Sequence, residues 1–307
     1  MSGLAGDVNH TLPDDFTVRP PTMEDFAVVT AVVAADELAT DGIVDITTDD
    51  LLSSWRRPTF DLDSDAVLVL EGDRAVAYAE LNAGRAWVHV HPDVRGRGLG
   101  AALLAWTERR ARELGAEKVG QTTSDNDHGA IELLTANGYG VRWTTWIFEY
   151  PLEQRPPAPE LPDGVTMRTF EHGRDDRAVY ELIDVAFSDW PDRDPSMSFE
   201  DWAASYLYRE DFDPELTLLL EDGPELVGAS LCRVYGDEGW VDQLAVKRSH
   251  RGRGLGGALL RASFGRFFER GLRTAGLATE DRTGARGVYE HVGMHVMRSF
   301  KRYSKDL

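Results

Sequence analysis

The chain has 307 residues, of which 53 are acidic and 33 basic, so its formal net charge is −20, a value that opposes binding to nucleic acid and to anionic membrane surfaces. Because Cys232 is the only cysteine and the eight histidines lack metal-ligand spacing, an intrachain disulfide is excluded and no metal site is expected. Neither a signal peptide nor an apolar run of membrane-spanning length is found, which favours a cytoplasmic protein.

The first half of the chain predicts one mixed sheet with helices. Its strands alternate apolar and polar residues and are expected over 16–19, 66–70, 75–81, 86–90, 119–123 and 141–150. Its helices show apolar residues at helical spacing and are expected after the cap at Thr22, over 48–56, from 99 to about 114 and over 129–136.

A proline-rich segment separates this half from a second half that repeats its order. Prolines cannot donate hydrogen bonds to a sheet and favour an extended chain, so residues 151–164 are predicted to form a linker. Strands are then expected over 165–168, 216–220, 226–233, 240–246, 274–279 and 296–303, and helices over 178–187, 199–207, 256–270 and 284–292. The sequence therefore predicts two domains, 1–150 and 165–307.

A glycine-rich stretch occurs in both halves at an offset of 156 residues. The two copies read Arg95-Gly96-Arg97-Gly98-Leu99-Gly100 and Arg251-Gly252-Arg253-Gly254-Leu255-Gly256. Each copy follows a predicted strand and precedes a predicted helix. The first amides of a helix have no internal partner and lie at the positive end of its dipole, and glycines let a polyanion approach the backbone. The repeated stretch therefore indicates a phosphate-binding loop, although a tight turn that binds nothing is an alternative.

The details of the loop separate it from nucleotide-binding motifs. A P-loop needs Lys followed by Ser or Thr, where Gly257-Ala258 stand, and a dinucleotide fingerprint needs glycine where Leu259 stands. The pattern Arg-x-x-Gly-x-Gly after an apolar strand instead resembles the acetyl-CoA pyrophosphate loop of the GNAT N-acetyltransferase superfamily. The two-domain layout is similar to that of mycothiol synthase-like proteins.

This resemblance implies an α/β (α+β) fold of two tandem GNAT (acyl-CoA N-acyltransferase) domains, each a mixed, mostly antiparallel twisted sheet flanked by helices. It further implies that the strand before each loop splays from its neighbour, and that the pantetheine arm of acetyl-CoA pairs with the exposed backbone. Residues implied in cofactor binding are Leu244, Ala245, Val246, Arg251, Gly252, Arg253, Gly254, Leu255 and Gly256 in the second half, and Val88, Val90, Arg95, Gly96, Arg97, Gly98 and Gly100 in the first.

The last helix of the second half contains Tyr289-Glu290-His291-Val292-Gly293, which is similar to a family signature whose tyrosine donates a proton or hydrogen bond to the departing CoA thiolate. The resemblance therefore implies that Tyr289 is the general acid. A packed tyrosine on an amphipathic helix is the alternative. With the glycines aligned, the first half has Leu134 at this position, and an alkyl chain cannot donate a proton.

Removal of a proton from the attacking amine requires a base, because an amine with a lysine-like pKa is protonated at pH 7. Many members of the family place a glutamate on the strand before the loop, where this chain has Trp240. Asp242 lies two residues on and, barring a bulge, on the same strand face. We predict Asp242 as base or water anchor, with Glu238 as second choice, although a solvated strand aspartate is an alternative. The first half has Ala86 at the position of Asp242.

By resemblance, the chain is an acetyl-CoA-dependent N-acetyltransferase that transfers an acetyl group to a primary amine of a small molecule. The amine attacks directly in a ternary complex, and the C-terminal domain is the catalytic one. A non-catalytic acyl-CoA-binding sensor is the alternative. The acidic stretches 188–194 and 209–214 suggest a cationic acceptor, although solvated loops have the same composition.

Overall fold

The structure, a computed structural model, describes residues 12–191 and 196–307. The start of the N-terminal tail and part of the acidic stretch 188–194 lie outside the described residues. The chain forms two units: unit 1 comprises the chain up to Thr144 together with Phe300–Leu307, and unit 2 comprises Thr145–Ser299. No helix in the described ranges is long and apolar enough to cross a membrane.

Unit 1 is a mixed sheet with helices. Its strands are β1 (Phe16–Arg19), β2 (Ala66–Glu71), β3 (Arg74–Asn82), β4 (Arg85–Val90), β5 (Lys118–Ser124) and, from the chain's far end, residues 300–306. All neighbours in this order are antiparallel except the parallel pair β4 and β5. Its helices are α1 (Phe26–Asp41), α2 (Thr48–Trp55), α3 (Leu62–Asp65), α4 (Leu99–Glu113) and α5 (His128–Ala136).

Unit 2 repeats this architecture. Its strands are β7 (Val165–Thr169), β8 (Leu218–Asp222), β9 (Glu225–Tyr235), β10 (Glu238–Val246), β11 (Thr274–Glu280) and residues 145–151 of β6 (Gly140–Pro151). Again only β10 and β11 are parallel. Its helices are α6 (Asp176–Phe187), α7 (Phe199–Tyr206), α8 (Leu255–Glu269) and α9 (Arg286–Val292). The predicted α/β fold with mostly antiparallel sheets is confirmed.

The division into units differs from the expected boundary at residue 150, because the last strand of each half is shared. Residues 145–151 of β6, in the first half, pair with β11 of unit 2. Residues 300–306 of β12 (His295–Asp306), in the second half, pair with β5 of unit 1. Each unit therefore takes its final strand from the other half of the sequence.

The predicted linker is more than a spacer, because it packs along α8 within unit 2. The Leu152 amide donates to the Arg273 carbonyl at 2.8 Å, and the Arg155 guanidinium pairs with Glu269 at the end of α8. Further along, Leu161 packs against the apolar cluster that contains Leu255 at the other end of α8. The linker is thus held at both ends of this helix.

Each unit ties its first strand to its first helix in the same way. In unit 1 the Arg19 guanidinium donates two hydrogen bonds of 2.7 Å to Asp25, which precedes α1. In unit 2 Arg168 donates to Asp175 at 2.6 and 2.8 Å, before α6. Two parallel bonds between a planar guanidinium and a carboxylate fix both distance and orientation.

Candidate active site

The glycine loop of unit 2 (Arg251–Gly256) is a sharp turn from β10 into α8. Gly252 and Gly254 have φ of 77° and 78°, in the left-handed region that favours glycine. A Cβ added at either position would meet no atom within 4 Å, so the backbone conformation is what requires glycine here. Among the described residues no side chain caps α8 at Gly254, which leaves its first amides available to a ligand. Unit 1 repeats this geometry, with φ of 78° at Gly96 and 89° at Gly98.

The first arginine of each loop binds protein groups through its side chain. The Arg251 guanidinium donates to the Ala186 carbonyl and to Asp189, both at 2.8 Å, at the C-terminal end of α6. Arg95 donates to Asp36 of α1 at 2.6 Å. These arginines therefore hold the loop against the first helix of the unit, and any contact with phosphate would come from their backbone amides.

The strand before the loop separates from its parallel neighbour, as the resemblance implied. In unit 2, β10 pairs with β11 at residues 238–241, and within the described part of the chain residues 243–246 pair only with β9. The backbone of Leu244, Ala245 and Val246 is therefore open on the β11 side. In unit 1, β4 pairs with β5 only at Arg85 and Ala86 of the described strand, so Val88 and Val90 border a similar opening.

Tyr289 lies on α9 and its ring is buried, with 7% exposed. The ring packs 5.5 Å from that of Phe148, and its hydroxyl hydrogen-bonds the side chain of Thr279 on β11. Burial raises the pKa of the Tyr289 phenol, and the hydrogen bond with Thr279 lowers it by a smaller amount. The phenol therefore stays protonated at neutral pH, and it lies against β11, the strand that borders the open edge of β10.

Asp242 lies at a β-bulge, which the sequence argument had assumed absent. Val241 is opposite Cys232 and Gln243 is opposite Leu231, so Asp242 is the extra residue of β10. The face of Asp242 therefore cannot be counted from Trp240 by simple alternation. Its carboxylate Oδ1 lies 3.1 Å from the Arg233 guanidinium Nε, and both side chains are 16% exposed. Asp242 is thus one member of an ion pair.

Trp240 and Glu238 share the space above a glycine of the neighbouring strand. A Cβ at Gly276 would lie 2.2 Å from Oε1 of Glu238 and 2.6 Å from ring atoms of Trp240. A side chain at Gly276 would overlap the packed ring of Trp240, and moving the ring to relieve the overlap would lower the stability of the fold. Gly276 therefore makes room for the ring of Trp240.

Two aspartates of the acidic stretch 209–214 are paired with arginines, and one of them, Asp213, lies 2.6 Å from Arg270. Asp211 accepts two bonds of 2.7 Å from Arg209 and lies 3.5 Å from Arg233. With Asp242, these residues form a cluster of two arginines and two aspartates, whose formal charge is zero. The charges of Asp211 and Asp213 are therefore balanced by arginines and give no independent support for a cationic acceptor.

A cleft of about 610 Å³ adjoins the glycine loop of unit 2. The linker forms one wall and the start of α8, with His291 of α9, forms the other. Its volume falls within the range of small-molecule and cofactor sites, roughly 300–1,000 Å³. A long ligand that contains a diphosphate, such as acetyl-CoA, would fit the open strand edge, the glycine loop and this cleft. In the described ranges no group of three or more His, Cys, Asp or Glu is placed to bind a metal ion.

Unit 1 has different residues at the corresponding positions. Leu134, the counterpart of Tyr289, is fully buried in the apolar core, and Ala86 replaces Asp242. His89 lies 2.8 Å from Asp36 through its Nδ1. Unit 1 therefore keeps the loop and the opening but has neither of the groups proposed for proton transfer.

Sequence reasoning did not find several residues of this site. Arg233 pairs with Asp242 across the β9–β10 hairpin, and Thr279 contacts Tyr289 across a helix–strand packing. Phe148 comes from the other half of the chain. Arg233 lies opposite Trp240 in the β9–β10 hairpin, and this register was the one feature from which its place in the site could have been predicted. The contacts of Thr279 and Phe148 with Tyr289 depend on tertiary packing.

Comparison with known proteins agrees with this geometry. The model of the acetyltransferase (GNAT) family matches residues 36–139 and 177–294. The mycothiol acetyltransferase of Thermobispora bispora is 32% identical over 256 residues, which are 78% of this chain and 81% of that protein. The mycothiol acetyltransferase of Catenulispora acidiphila is 31% identical over 316 residues, covering 94% of this chain and 96% of that protein.

Solved structures give the same fold over nearly the whole chain. A GCN5-related N-acetyltransferase from Sphaerobacter thermophilus is 34% identical, with a TM-score of 0.78 over 96% of this chain and 97% of that one. A tandem GNAT protein from the clavulanic acid biosynthesis pathway is 18% identical, with a TM-score of 0.71 over 95% of this chain and 98% of that one. The second likeness is one of fold alone.

Proposed function

Because the chain belongs to the acetyltransferase (GNAT) family, we propose that it transfers the acetyl group of acetyl-CoA to a primary amine of a small molecule, by direct attack in a ternary complex within unit 2. Its relatives are acetyltransferases, which makes the chain an acetyl-CoA-dependent N-acetyltransferase rather than a non-catalytic sensor.

The observation behind the assignment to unit 2 is the position of Tyr289. Its buried phenol hydrogen-bonds Thr279 on β11, and β11 borders the opening beside residues 243–246 of β10. We propose that the backbone of Leu244, Ala245 and Val246 holds the pantetheine arm in this opening. The amides of Arg251–Gly256 would hold the diphosphate at the positive end of α8. Unit 1 has Leu134 in place of the phenol, so it would bind acyl-CoA without turnover.

Tyr289 is proposed to donate its proton, or a strong hydrogen bond, to the departing thiolate. Because its pKa is raised, full proton transfer to a thiolate of ordinary pKa is uphill, and the hydrogen bond itself supplies part of the stabilisation. General acids of this kind contribute roughly 10² to 10⁴ in rate. The buried site strengthens the interaction because water does not compete with the leaving sulfur.

Asp242 is proposed to assist removal of the amine proton. The guanidinium of Arg233 stabilises its ionised form, which favours a role in holding and orienting a water molecule over direct proton abstraction. Glu238 remains the second candidate for the base.

The acceptor is proposed to be the amine of a mycothiol-related small molecule, since the curated relatives that span most of the chain are named mycothiol acetyltransferase. The test is release of free thiol from acetyl-CoA against a panel of small amines, polyamines, aminoglycosides and amino-sugar thiols. Amine-dependent release, greatest with an amino-sugar thiol, is the expected result. Tight acetyl-CoA binding with no release for any amine of the panel would contradict the proposal.

A further inference from the structure

The cleft beside the glycine loop of unit 2 is lined on one side by the proline-rich linker. That wall is formed by Pro157, Ala158, Glu160, Leu161 and Pro162, and the opposite wall is formed by the start of α8 and by His291 of α9. The linker is held in place, because Leu161 packs against the apolar cluster that contains Leu255, and the Val165 amide donates to the Pro162 carbonyl at 3.1 Å. The cleft is therefore a built feature of unit 2.

The cleft is lined by basic side chains from the loop and from the two helices beside it. It is lined by Arg253, Arg261 and His291, with Glu160 as its one carboxylate among the described lining residues. Arg253 lies 3.2 Å from Asp222, which partly neutralises it. The side chains of Arg261 and His291 form no hydrogen bond or ion pair with any described residue. One cleft thus contains two potential phosphate-binding groups that have no partner among residues 12–191 and 196–307.

The distance between these groups and the loop suits the adenosine end of CoA. Arg261 follows Gly254 by seven residues, about 10 Å along the helix axis. Its side chain leans back toward the loop, as helical side chains do: a Cβ at Gly257 would lie 3.4 Å from its Nη1. In CoA, a ribose separates the diphosphate from the 3′-phosphate. With the diphosphate at the start of α8, the Arg261 guanidinium is therefore near enough to contact the 3′-phosphate.

We infer that Arg261 and His291 bind the 3′-phosphate of CoA, and that this cleft makes unit 2 specific for CoA over its 3′-dephospho form. The inference rests on the proposed function, because it takes the loop of unit 2 to hold the diphosphate. A dianionic phosphate between a guanidinium and an imidazole receives charge-assisted hydrogen bonds, and the linker wall reduces its exposure to water. Glu160 opposes the phosphate and limits the gain.

The two halves of the chain differ at these two positions. With the loops aligned, Ala105 of α4 corresponds to Arg261; with the last helices aligned, Ala136 of α5 corresponds to His291. An alanine cannot bind phosphate. The 3′-phosphate specificity is therefore a property of unit 2, whereas the glycine loop is common to both units.

The test is isothermal titration calorimetry with acetyl-CoA and with 3′-dephospho-acetyl-CoA. Hydrogen–deuterium exchange over residues 251–262 assigns the binding to unit 2. The wild-type protein is expected to bind acetyl-CoA about tenfold more tightly than the dephospho form, since a charge-assisted bond at a half-exposed site is worth about a factor of ten. Arg261→Ala combined with His291→Ala is expected to bind the two ligands equally, at the affinity of the dephospho form.

Arg266→Ala is the matched control, because Arg266 is an exposed arginine further along α8 that does not line the cleft. It is expected to keep the wild-type preference. Equal binding of both ligands by the wild-type unit 2, or a preference that survives in the double variant, would overturn the inference while leaving acetyl-CoA binding intact. If neither ligand protected residues 251–262, the proposed function itself would fall.

Discussion

The carboxylate of Asp242 lies 3.1 Å from the guanidinium Nε of Arg233, at the bulge where β10 leaves β11. Both side chains are largely buried, and Arg233 also faces Asp211 at 3.5 Å. The bulge thus combines three effects at one point: it ends the pairing with β11, re-aims a carboxylate and fixes that carboxylate with a cation. Residues 238–241, before the bulge, pair with both neighbouring strands, and residues 243–246, after it, border the opening.

This pair should contribute to the stability of unit 2. Removal of one charge leaves the other largely buried, so Asp242→Asn and Arg233→Gln are each expected to lower the free energy of unfolding by about 1–2 kcal/mol. The double variant should lose less than the sum, with a coupling of about 1 kcal/mol in urea unfolding. Strict additivity of the two changes would show that the pair is not energetically coupled.

Asp175 gives a prediction for acid stability. Burial would raise its pKa, but hydrogen bonds from Arg168 and the Glu171 amide and the nearby positive charges outweigh burial and lower the pKa. A lowered folded-state pKa stabilises the fold above the unfolded value, near 4, and that contribution is lost as the pH falls further. Asp175→Asn should therefore lose about 2 kcal/mol at pH 7, with the deficit shrinking below pH 4.

The control for this change is Asp163→Asn, an exposed aspartate of the same unit. The free energy of unfolding of this variant should match that of the wild type at pH 7 and also below pH 4. A deficit in Asp175→Asn that stays constant down to pH 2 would indicate lost packing instead of a lost charge pair.

Cys232 should be inert in the folded protein. Burial raises the pKa of its thiol from 9 to about 12, despite hydrogen bonds with Ser230 and Ser263. Thiol reagents should therefore modify it only through unfolding, at a rate that rises with urea. Because the folded pKa lies above the unfolded one, the thiol stabilises the fold below pH 9 and this contribution is lost between about pH 9 and 12. Rapid modification of the native protein at pH 8 would contradict this burial.

Gly254 should be required for acetyl-CoA binding. Its φ of 78° strains any side chain by about 1–2 kcal/mol, so Gly254→Ala is expected to shift the loop and weaken acetyl-CoA affinity at unit 2 about tenfold. Gly236→Ala is the control, since Gly236 has φ of 58° in the β9–β10 turn, away from the loop. Titration of both variants distinguishes a specific loop effect from general backbone strain: equal losses would contradict the assignment.

Local pattern predicted much of this site because its parts are local. The glycine loops needed only a strand, alternate glycines and a helix start, and α8 begins at Leu255 within one residue of the expected start at 256. The exchange of β6 and β12 between units could not be predicted, because a strand's alternation fixes which face is buried and leaves its partner open. The bulge at Asp242 has the same cause: one inserted residue leaves no mark on the apolar pattern.

The roles of the linker and of Arg233 also lie beyond local pattern. Prolines at 156, 157, 159 and 162 predict an extended segment, but its path along α8 depends on packing of Leu161 against the apolar cluster that contains Leu255. Arg233 meets Asp242 only once the hairpin register is known. The resemblance predicted the backbone features of the site, such as the glycine loop and the open strand. It did not predict contacts between side chains that are distant in the sequence.

The most direct test of the account is acetyl-CoA turnover in Tyr289→Phe, with Tyr303→Phe, a buried tyrosine of unit 1, as control. Phenylalanine keeps the packing against Phe148 and removes the hydroxyl, so we expect acetyl-CoA affinity to stay within about twofold and amine-dependent thiol release to fall about 10²-fold or more. Tyr303→Phe should retain wild-type release. Release at the wild-type rate in Tyr289→Phe, with acetyl-CoA still bound, would contradict the claim that this phenol serves the departing thiolate.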